Sequence, residues 1–253
     1  MILLTAPPRT GKSTAIKKIV NMLGPKNCGG FYTEEIREDG EHVGFRINSL
    51  NGEVGILAHV SLVSNYKISR YGVDLSCFEQ ICLNELKRAV SSPQIKYIII
   101  DEIGPMQLFS EEYKSLLLNI LSIDKPVIGT VFYDSYEWLD EFKKRKDIKL
   151  IEINEGNRDL LPIEIINSIV NHDVEFQKKI KKAKGYMMQP ERFSYDGNRV
   201  TIHSEHGIRT VVVGTDNRYS CDCEYYQKAG TCSHIIATIM NSSMPEQKLK
   251  IKK

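Results

Sequence analysis

No apolar run in this sequence approaches the ~18 residues needed to span a membrane, so a transmembrane protein is not expected. A secretion signal is not expected either, because Pro7-Pro8-Arg9 interrupts the apolar opening after a few residues. Compositional bias is missing too: 42% hydrophobic and 26% charged residues are ordinary for a globular chain of 253 residues. These absences point to a cytoplasmic protein whose thiols stay reduced. Cys28, Cys77 and Cys82 show no ligand-like spacing and read as small buried hydrophobes. The net charge is only +2, but it is unevenly spread. Residues 173–253 hold 14 Lys+Arg against 9 Asp+Glu, whereas residues 1–172 hold 20 against 23. A polyanionic partner is therefore expected at the C-terminal side.

The chain is organised around its first residues. Ile2-Leu3-Leu4-Thr5 reads as a strand, and Ala15 to Val20 as the start of a helix. Between them, Ala6-Pro7-Pro8-Arg9-Thr10-Gly11-Lys12-Ser13-Thr14 follows the P-loop pattern, with Ala6 in the first glycine position. Gly11 admits a phosphate close to the backbone, and the helix N-terminus turns N–H groups toward the anion. Lys12 is expected to reach the β- and γ-phosphates, Ser13 to ligate Mg²⁺ and Thr14 to bond the α-phosphate.

Downstream, Tyr97-Ile98-Ile99-Ile100 lacks polar alternation and so reads as a parallel strand buried on both faces. It ends in Asp101-Glu102, the Walker B arrangement. Asp101 is expected to hold Mg²⁺, and Glu102 to polarise an attacking water. Asp39-Gly40 and Asn51-Gly52, set between strand-like runs, predict an antiparallel meander over residues 29–57. Elsewhere strands alternate with helices, including Asp74–Val90, Ser110–Ile123, Ser135–Lys146 and Leu160–Val170. The fold class is α/β with a mainly parallel sheet.

In the C-terminal part, Lys178, Lys179, Lys181, Lys182 and Lys184 crowd into seven positions, and Lys248, Lys250, Lys252 and Lys253 form a basic tail. Such runs form a solvated helix face or a phosphate-contacting arm. Short strands then precede Cys221-Asp222-Cys223 and Cys232-Ser233-His234, which open a final helix. Three thiolates and an imidazole at Cys221, Cys223, Cys232 and His234 match a closed tetrahedral Zn²⁺ site.

Beyond the P-loop, four further stretches carry a family resemblance: Gly30-Phe31-Tyr32-Thr33-Glu34-Glu35-Ile36-Arg37, Tyr71-Gly72-Val73-Asp74, Asp101-Glu102-Ile103-Gly104-Pro105-Met106 and Asn157-Arg158-Asp159-Leu160-Leu161-Pro162. Over residues 1 to about 170 the chain resembles the thermophilic, or cancer-related, nucleoside-triphosphatases. The resemblance implies a RecA-like P-loop core that hydrolyses several nucleoside triphosphates, ATP and GTP among them, with Mg²⁺. It also implies that Arg158 lies near the nucleotide. The chain departs from that family at Ala6, at Arg9 where glycine is usual, and at Gln107 where glutamate is usual.

Residues 180–241 resemble the SWIM zinc finger, whose members are credited with DNA or protein partners. The expected organisation is a nucleoside-triphosphatase domain at 1–172, a basic linker at 173–185 and a small zinc-binding β/α domain at 186–253. DNA, RNA or a protein is the expected partner of the last. Because P-loop chemistry is shared, the motifs leave open a nucleoside, nucleotide or RNA kinase, and a nucleotide-gated nucleic-acid-binding protein.

Overall fold

The structure, a computed structural model, describes residues 1–243. The basic tail at Lys248, Lys250, Lys252 and Lys253 lies outside the described residues. Two compact units form: residues 1–13 with 27–153, and residues 14–26 with 154–253. No helix among the described residues is long and apolar enough to cross a membrane.

The first unit is built on a nine-stranded mixed sheet. Strand β1 (Ile2–Thr5) leads through the P-loop into helix α1 (Lys12–Leu23). The predicted meander follows as β2 (Cys28–Glu38), β3 (Glu41–Ser49) and β4 (Val54–His59), paired antiparallel. Asp39 and Gly40 both have positive φ (48° and 85°), the backbone that a two-residue hairpin between right-twisted strands demands. Short strands β5 (Lys67–Ile68) and β6 (Tyr71–Val73) finish that side of the sheet. The helix predicted from Asp74 starts there, capped by the Asp74 carboxylate on the Cys77 N–H at 2.8 Å. It runs as α2 (Leu75–Phe78), a π turn (Glu79–Leu83) and α3 (Asn84–Ser91).

The parallel half contains β7 (Tyr97–Ile103), β8 (Val127–Val131) and β9 (Lys149–Glu152), linked through α4 (Glu111–Ile120) and α5 (Glu137–Lys143). Ser110 caps α4, accepting the Tyr113 N–H at 3.1 Å. The strand order β2-β7-β8-β1-β9 is parallel throughout. Residues 97–101 of β7 are buried, as the unbroken apolar run predicts for a strand covered on both faces. Strand β8 lies between β1 and β7, so the carboxyl ends of all three open on one edge of the sheet. Ligands of open α/β sheets bind at such an edge.

The second unit contains α6 (Leu161–Ile169), α7 (Val174–Met187), a four-stranded antiparallel sheet and two final helices. Its strands are β10 (Phe193–Asp196), β11 (Arg199–Ser204), β12 (Gly207–Val213) and β13 (Tyr219–Cys221), in that order. Helix α8 (Glu224–Ala229) fills the gap between the two Cys motifs, and α9 (Ser233–Ser242) ends the described chain. The lysine-rich segment expected as a joint is helical. Asp173 caps it, and Phe176, Ile180, Ala183 and Tyr186 form a buried stripe on α7, which packs on α9.

Residues 14–26, the greater part of α1, belong to this unit and bond to its C-terminal elements. Asn21 is buried, and its amide donates to the carbonyls of Lys17 (2.7 Å) and Asn217 (2.9 Å). Its oxygen accepts the Tyr219 N–H at 3.0 Å. The Thr231 hydroxyl donates to the Met22 carbonyl at 2.8 Å, and the Lys26 ammonium to the Gln227 carbonyl at 3.2 Å.

Candidate active site and metal centre

The P-loop backbone explains both departures within it. Ala6 is fully buried and keeps an ordinary negative φ, so its methyl group is accommodated where a glycine is usual. Arg9 adopts φ +64°, a left-handed backbone that glycine takes without cost. Gly11, at φ +110°, makes the turn into α1. The Thr10 hydroxyl donates to the Pro7 carbonyl at 2.8 Å and ties the loop across itself. The Lys12 ammonium donates to the Ala6 carbonyl at 2.7 Å and more weakly to that of Pro7 at 3.4 Å. Ser13 and Thr14 occupy the first turn of α1.

At the carboxyl end of β7, Asp101 is 2% exposed, and one of its oxygens accepts the hydroxyl of Thr130 from the neighbouring strand β8. Glu102 is half-buried beside it. Burial raises the Glu102 carboxyl first and the Asp101 charge raises it further, whereas Lys12 and Lys143 pull it down; it settles at about 7. Two carboxylates side by side cannot both ionise freely, and their environments therefore separate their roles. Asp101 offers a hard oxygen of the kind Mg²⁺ takes, and its repulsion of Glu102 is what a cation would relieve.

Thr130 and Lys143 escaped the sequence reading. Thr130 lies in a plain apolar strand, and Lys143 is one of several lysines near the end of α5. Neither belongs to a local motif; strand order and helix placement bring them to the carboxylates. The tyrosine of α4, Tyr113, is fully buried against Phe31 and Phe78, with no hydrogen-bond partner for its hydroxyl among the described residues. Gln107, where the family usually has glutamate, is buried in the short helix after β7. Arg158 is half-buried in the turn at residues 154–160 of the second unit, its backbone N–H on the Asn154 carbonyl at 3.0 Å.

Near the C-terminus, Cys221, Cys223, Cys232 and His234 are all buried, with one ligand atom of each within 4.8 Å of every other. Strand β13 delivers Cys221, the start of α8 delivers Cys223, and the start of α9 delivers Cys232 and His234. His234 Nδ1 lies 3.8 Å from the sulfurs of both Cys221 and Cys232. Tetrahedral ligands at ~2.3 Å from a zinc ion stand at about that separation from one another. The Cys221 thiol is pushed up by its hydrogen bond with Cys232 and then by burial, and the Cys223 thiol chiefly by burial. Crowded buried sulfurs of this kind fit a cation. One oxygen of Asp222 accepts the Thr210 N–H at 3.0 Å, which ties the end of β13 to β12, and the other lies 3.9 Å from the Cys221 sulfur. The spacing of the two cysteines around Asp222 thus serves the cluster and the sheet together.

Comparison with known proteins finds two matching regions. Residues 1–166 match the family model described as NTPase, and residues 210–241 match the SWIM zinc finger. The chain is 42% identical over 166 residues to nucleoside-triphosphatase THEP1 of Thermotoga sp. (strain RQ2), covering 66% of this chain and 93% of that protein. It is 35% identical over 183 residues to the cancer-related nucleoside-triphosphatase of Homo sapiens, covering 66% and 95%. The crystal structure of THEP1 from the hyperthermophile Aquifex aeolicus superposes with a TM-score of 0.60 at 34% identity, covering 67% of this chain and 99% of that one. The chain belongs to the NTPase family of these nucleoside-triphosphatases and carries a SWIM zinc finger after the NTPase region.

Proposed function

We propose that this protein is a cytoplasmic, Mg²⁺-dependent nucleoside-triphosphatase. It converts ATP, GTP and other nucleoside triphosphates to the diphosphate and phosphate, and its zinc-folded C-terminal module engages nucleic acid. The observation that carries the hydrolase reading is Glu102, a carboxyl poised at about 7 beside Asp101 and under the influence of Lys12. A general base works best with a pKa near the operating pH.

Ser13 and Asp101 would hold Mg²⁺, which when bound would offset the charge of the phosphates. Lys12 exchanges its carbonyl partners for the β- and γ-phosphates and neutralises charge that builds in the transition state. The N–H groups of residues 9–14 cradle the phosphate chain. Glu102 orients a water and accepts its proton as the water oxygen bonds to the γ-phosphorus. The bond to the bridging oxygen breaks, and the nucleoside diphosphate leaves with that oxygen. Arg158 is the candidate cation for the leaving charge, on family resemblance. Cys221, Cys223, Cys232 and His234 would hold Zn²⁺, whose role is to fold the module.

Steady phosphate release from ATP and GTP with Mg²⁺, and no acceptor added, is the expected result. Turnover that begins only when a nucleoside or an RNA hydroxyl is supplied would replace the hydrolase with a phosphotransferase.

A further inference from the structure

The second unit contains a cavity of about 550 Å³, whose wall includes Cys223, Cys232 and His234 of the Cys/His cluster but whose other lining residues have no role above. It is walled by α7, by residues of β11 and β12 with their connecting turn, by α8 and by the start of α9. Five cationic side chains line it against two carboxylates, Glu175 and Glu224. Lys178 is paired with Glu175 at 2.6 Å, and Lys228 stands 3.9 Å from Glu224. Lys182 reaches Glu205 at 3.3 Å, outside the cavity wall. Among the described residues, Lys179 and Arg209 have no carboxylate partner. Lys179 lies over the Tyr225 ring at 4.8 Å, and Arg209 donates only to the His206 carbonyl at 3.1 Å.

Two further features concern what such a cavity takes. Tyr225 is 49% exposed in this wall of cations even with Lys179 over its ring. At the other wall, α9 begins at Cys232 with no side-chain cap on its first N–H groups. His234, only 8% exposed, lines the cavity, and its Nε2 has no hydrogen-bond partner among the described residues. Cations without a carboxylate partner, N–H groups without a side-chain cap and a buried imidazole nitrogen all favour an oxyanion. An exposed ring among them favours a base lying on it.

We propose that this cavity binds one nucleotide unit of a single-stranded nucleic acid, with phosphate against Lys179, Arg209 and the start of α9, and the base stacked on Tyr225. A duplex keeps its bases stacked on one another and out of reach of such a ring, so the single strand is the matching form. The volume lies within the range that holds a nucleotide-sized ligand. This inference rests on the reading that the zinc module engages nucleic acid, and it adds the strand form and the residues.

The test uses the full zinc-loaded chain and fluorescently labelled 12-residue oligonucleotides, single-stranded and duplex, in fluorescence anisotropy. Single strands should bind at low salt, more tightly than the duplex, with log affinity falling against log salt by about 0.7 per phosphate neutralised. Tyr225→Ala should weaken binding about 5- to 150-fold, the range for losing one stacked base. Tyr225→Phe should retain binding, and Lys179→Ala/Arg209→Ala should weaken it and flatten the salt slope. All variants should keep the native circular dichroism and phosphate release. Competition by AMP or inorganic phosphate as effective as by unlabelled oligonucleotide would overturn the strand assignment in favour of a free nucleotide or anion. Native binding that Tyr225→Ala and the double variant leave intact would overturn the cavity. No binding of any oligonucleotide by the native chain would instead overturn the nucleic-acid reading beneath it.

Discussion

Asn21, in the helix that begins at the P-loop lysine, accepts the backbone N–H of Tyr219 at 3.0 Å. Tyr219 opens β13, the strand that carries Cys221 into the metal cluster. The same Asn21 amide bonds the Asn217 carbonyl, and one residue on, the Met22 carbonyl takes the hydroxyl of buried Thr231, next to Cys232. Helix α1 therefore serves two ends. Its first turn carries Lys12 and Ser13 of the P-loop motif, and its last turns supply backbone and side-chain partners to both halves of the cysteine motif.

Asn21→Ala should strip these bonds and leave the Tyr219 N–H unpaired in a buried setting and the Asn217 carbonyl in a half-buried one. Each unsatisfied buried group costs ~1–3 kcal/mol, so a loss of about 2–4 kcal/mol is expected in urea unfolding followed by circular dichroism. An exposed residue of the same unit, such as Lys181→Ala, should cost far less. A change below about 0.5 kcal/mol for Asn21→Ala would show that the clamp adds nothing to stability.

Glu102→Gln should separate stability from activity. As a positioned base, the carboxylate contributes ~10²-fold or more in rate, and the glutamine form should bind nucleotide and stall. Because Glu102 settles at about 7 against a reference of 4.5, the folded protein holds a proton there that the unfolded chain has released. Its contribution is therefore fully favourable below the unfolded value and declines as pH rises from about 4.5 to 7. Glutamine is free of that decline. In EDTA and without nucleotide, Glu102→Gln should match the native protein near pH 4.5 and exceed it by about 3 kcal/mol at pH 8. Identical stabilities at pH 8 would contradict the raised carboxyl.

Much of this was legible because local chemistry carried it. The P-loop, the acidic pair after four buried residues, the Asp39-Gly40 hairpin and the paired cysteine motifs each have a pattern set by short-range geometry. What the sequence hid depends on residues far apart in the chain. Thr130 meets Asp101 only because β8 separates β1 from β7, and Asn21 meets Tyr219 across almost two hundred residues. In α7 the apolar stripe of Phe176, Ile180, Ala183 and Tyr186 was present, but the intervening lysines masked it as a linker. Strand β10, Phe193-Ser194-Tyr195-Asp196, is only four residues long and is defined by its pairing with β11 rather than by a pattern of its own.

Arg9 tests whether loop backbone or side-chain charge matters at that position. Its φ of +64° costs a non-glycine residue ~1 kcal/mol, which glycine relieves while adding freedom to the unfolded chain. Arg9→Gly should therefore be close to neutral in stability and hold turnover within about threefold. Arg9→Val, β-branched and least suited to that backbone, should distort the cradle and weaken nucleotide binding by ~1–2 kcal/mol, about 5- to 30-fold. Titration calorimetry with a non-hydrolysable nucleotide would read both. Equal losses in the two variants would assign the effect to the missing guanidinium instead.

Zinc removal should reach further than the module that holds it. A structural zinc site supplies ~10 kcal/mol or more to a small domain, more than the β10–β13 sheet and two short helices can replace. Cys221→Ser/Cys223→Ser should therefore unfold α8, α9 and β13. The partners of Asn21 and Met22 in α1, and of Lys26 just after it, would go with them, since all three bond to residues between 217 and 231. Hydrogen exchange should show protection lost over residues 219–242 and also over residues 18–24, with β7 and β8 still protected. Phosphate release should fall in parallel, because the helix that presents Lys12 and Ser13 has lost the anchors of its later turns. Chelation should reproduce the pattern in the native chain, and added Zn²⁺ should reverse it there but not in the double variant. Exchange in α1 that stays as slow as in the native chain would show that the nucleotide helix stands without the zinc module.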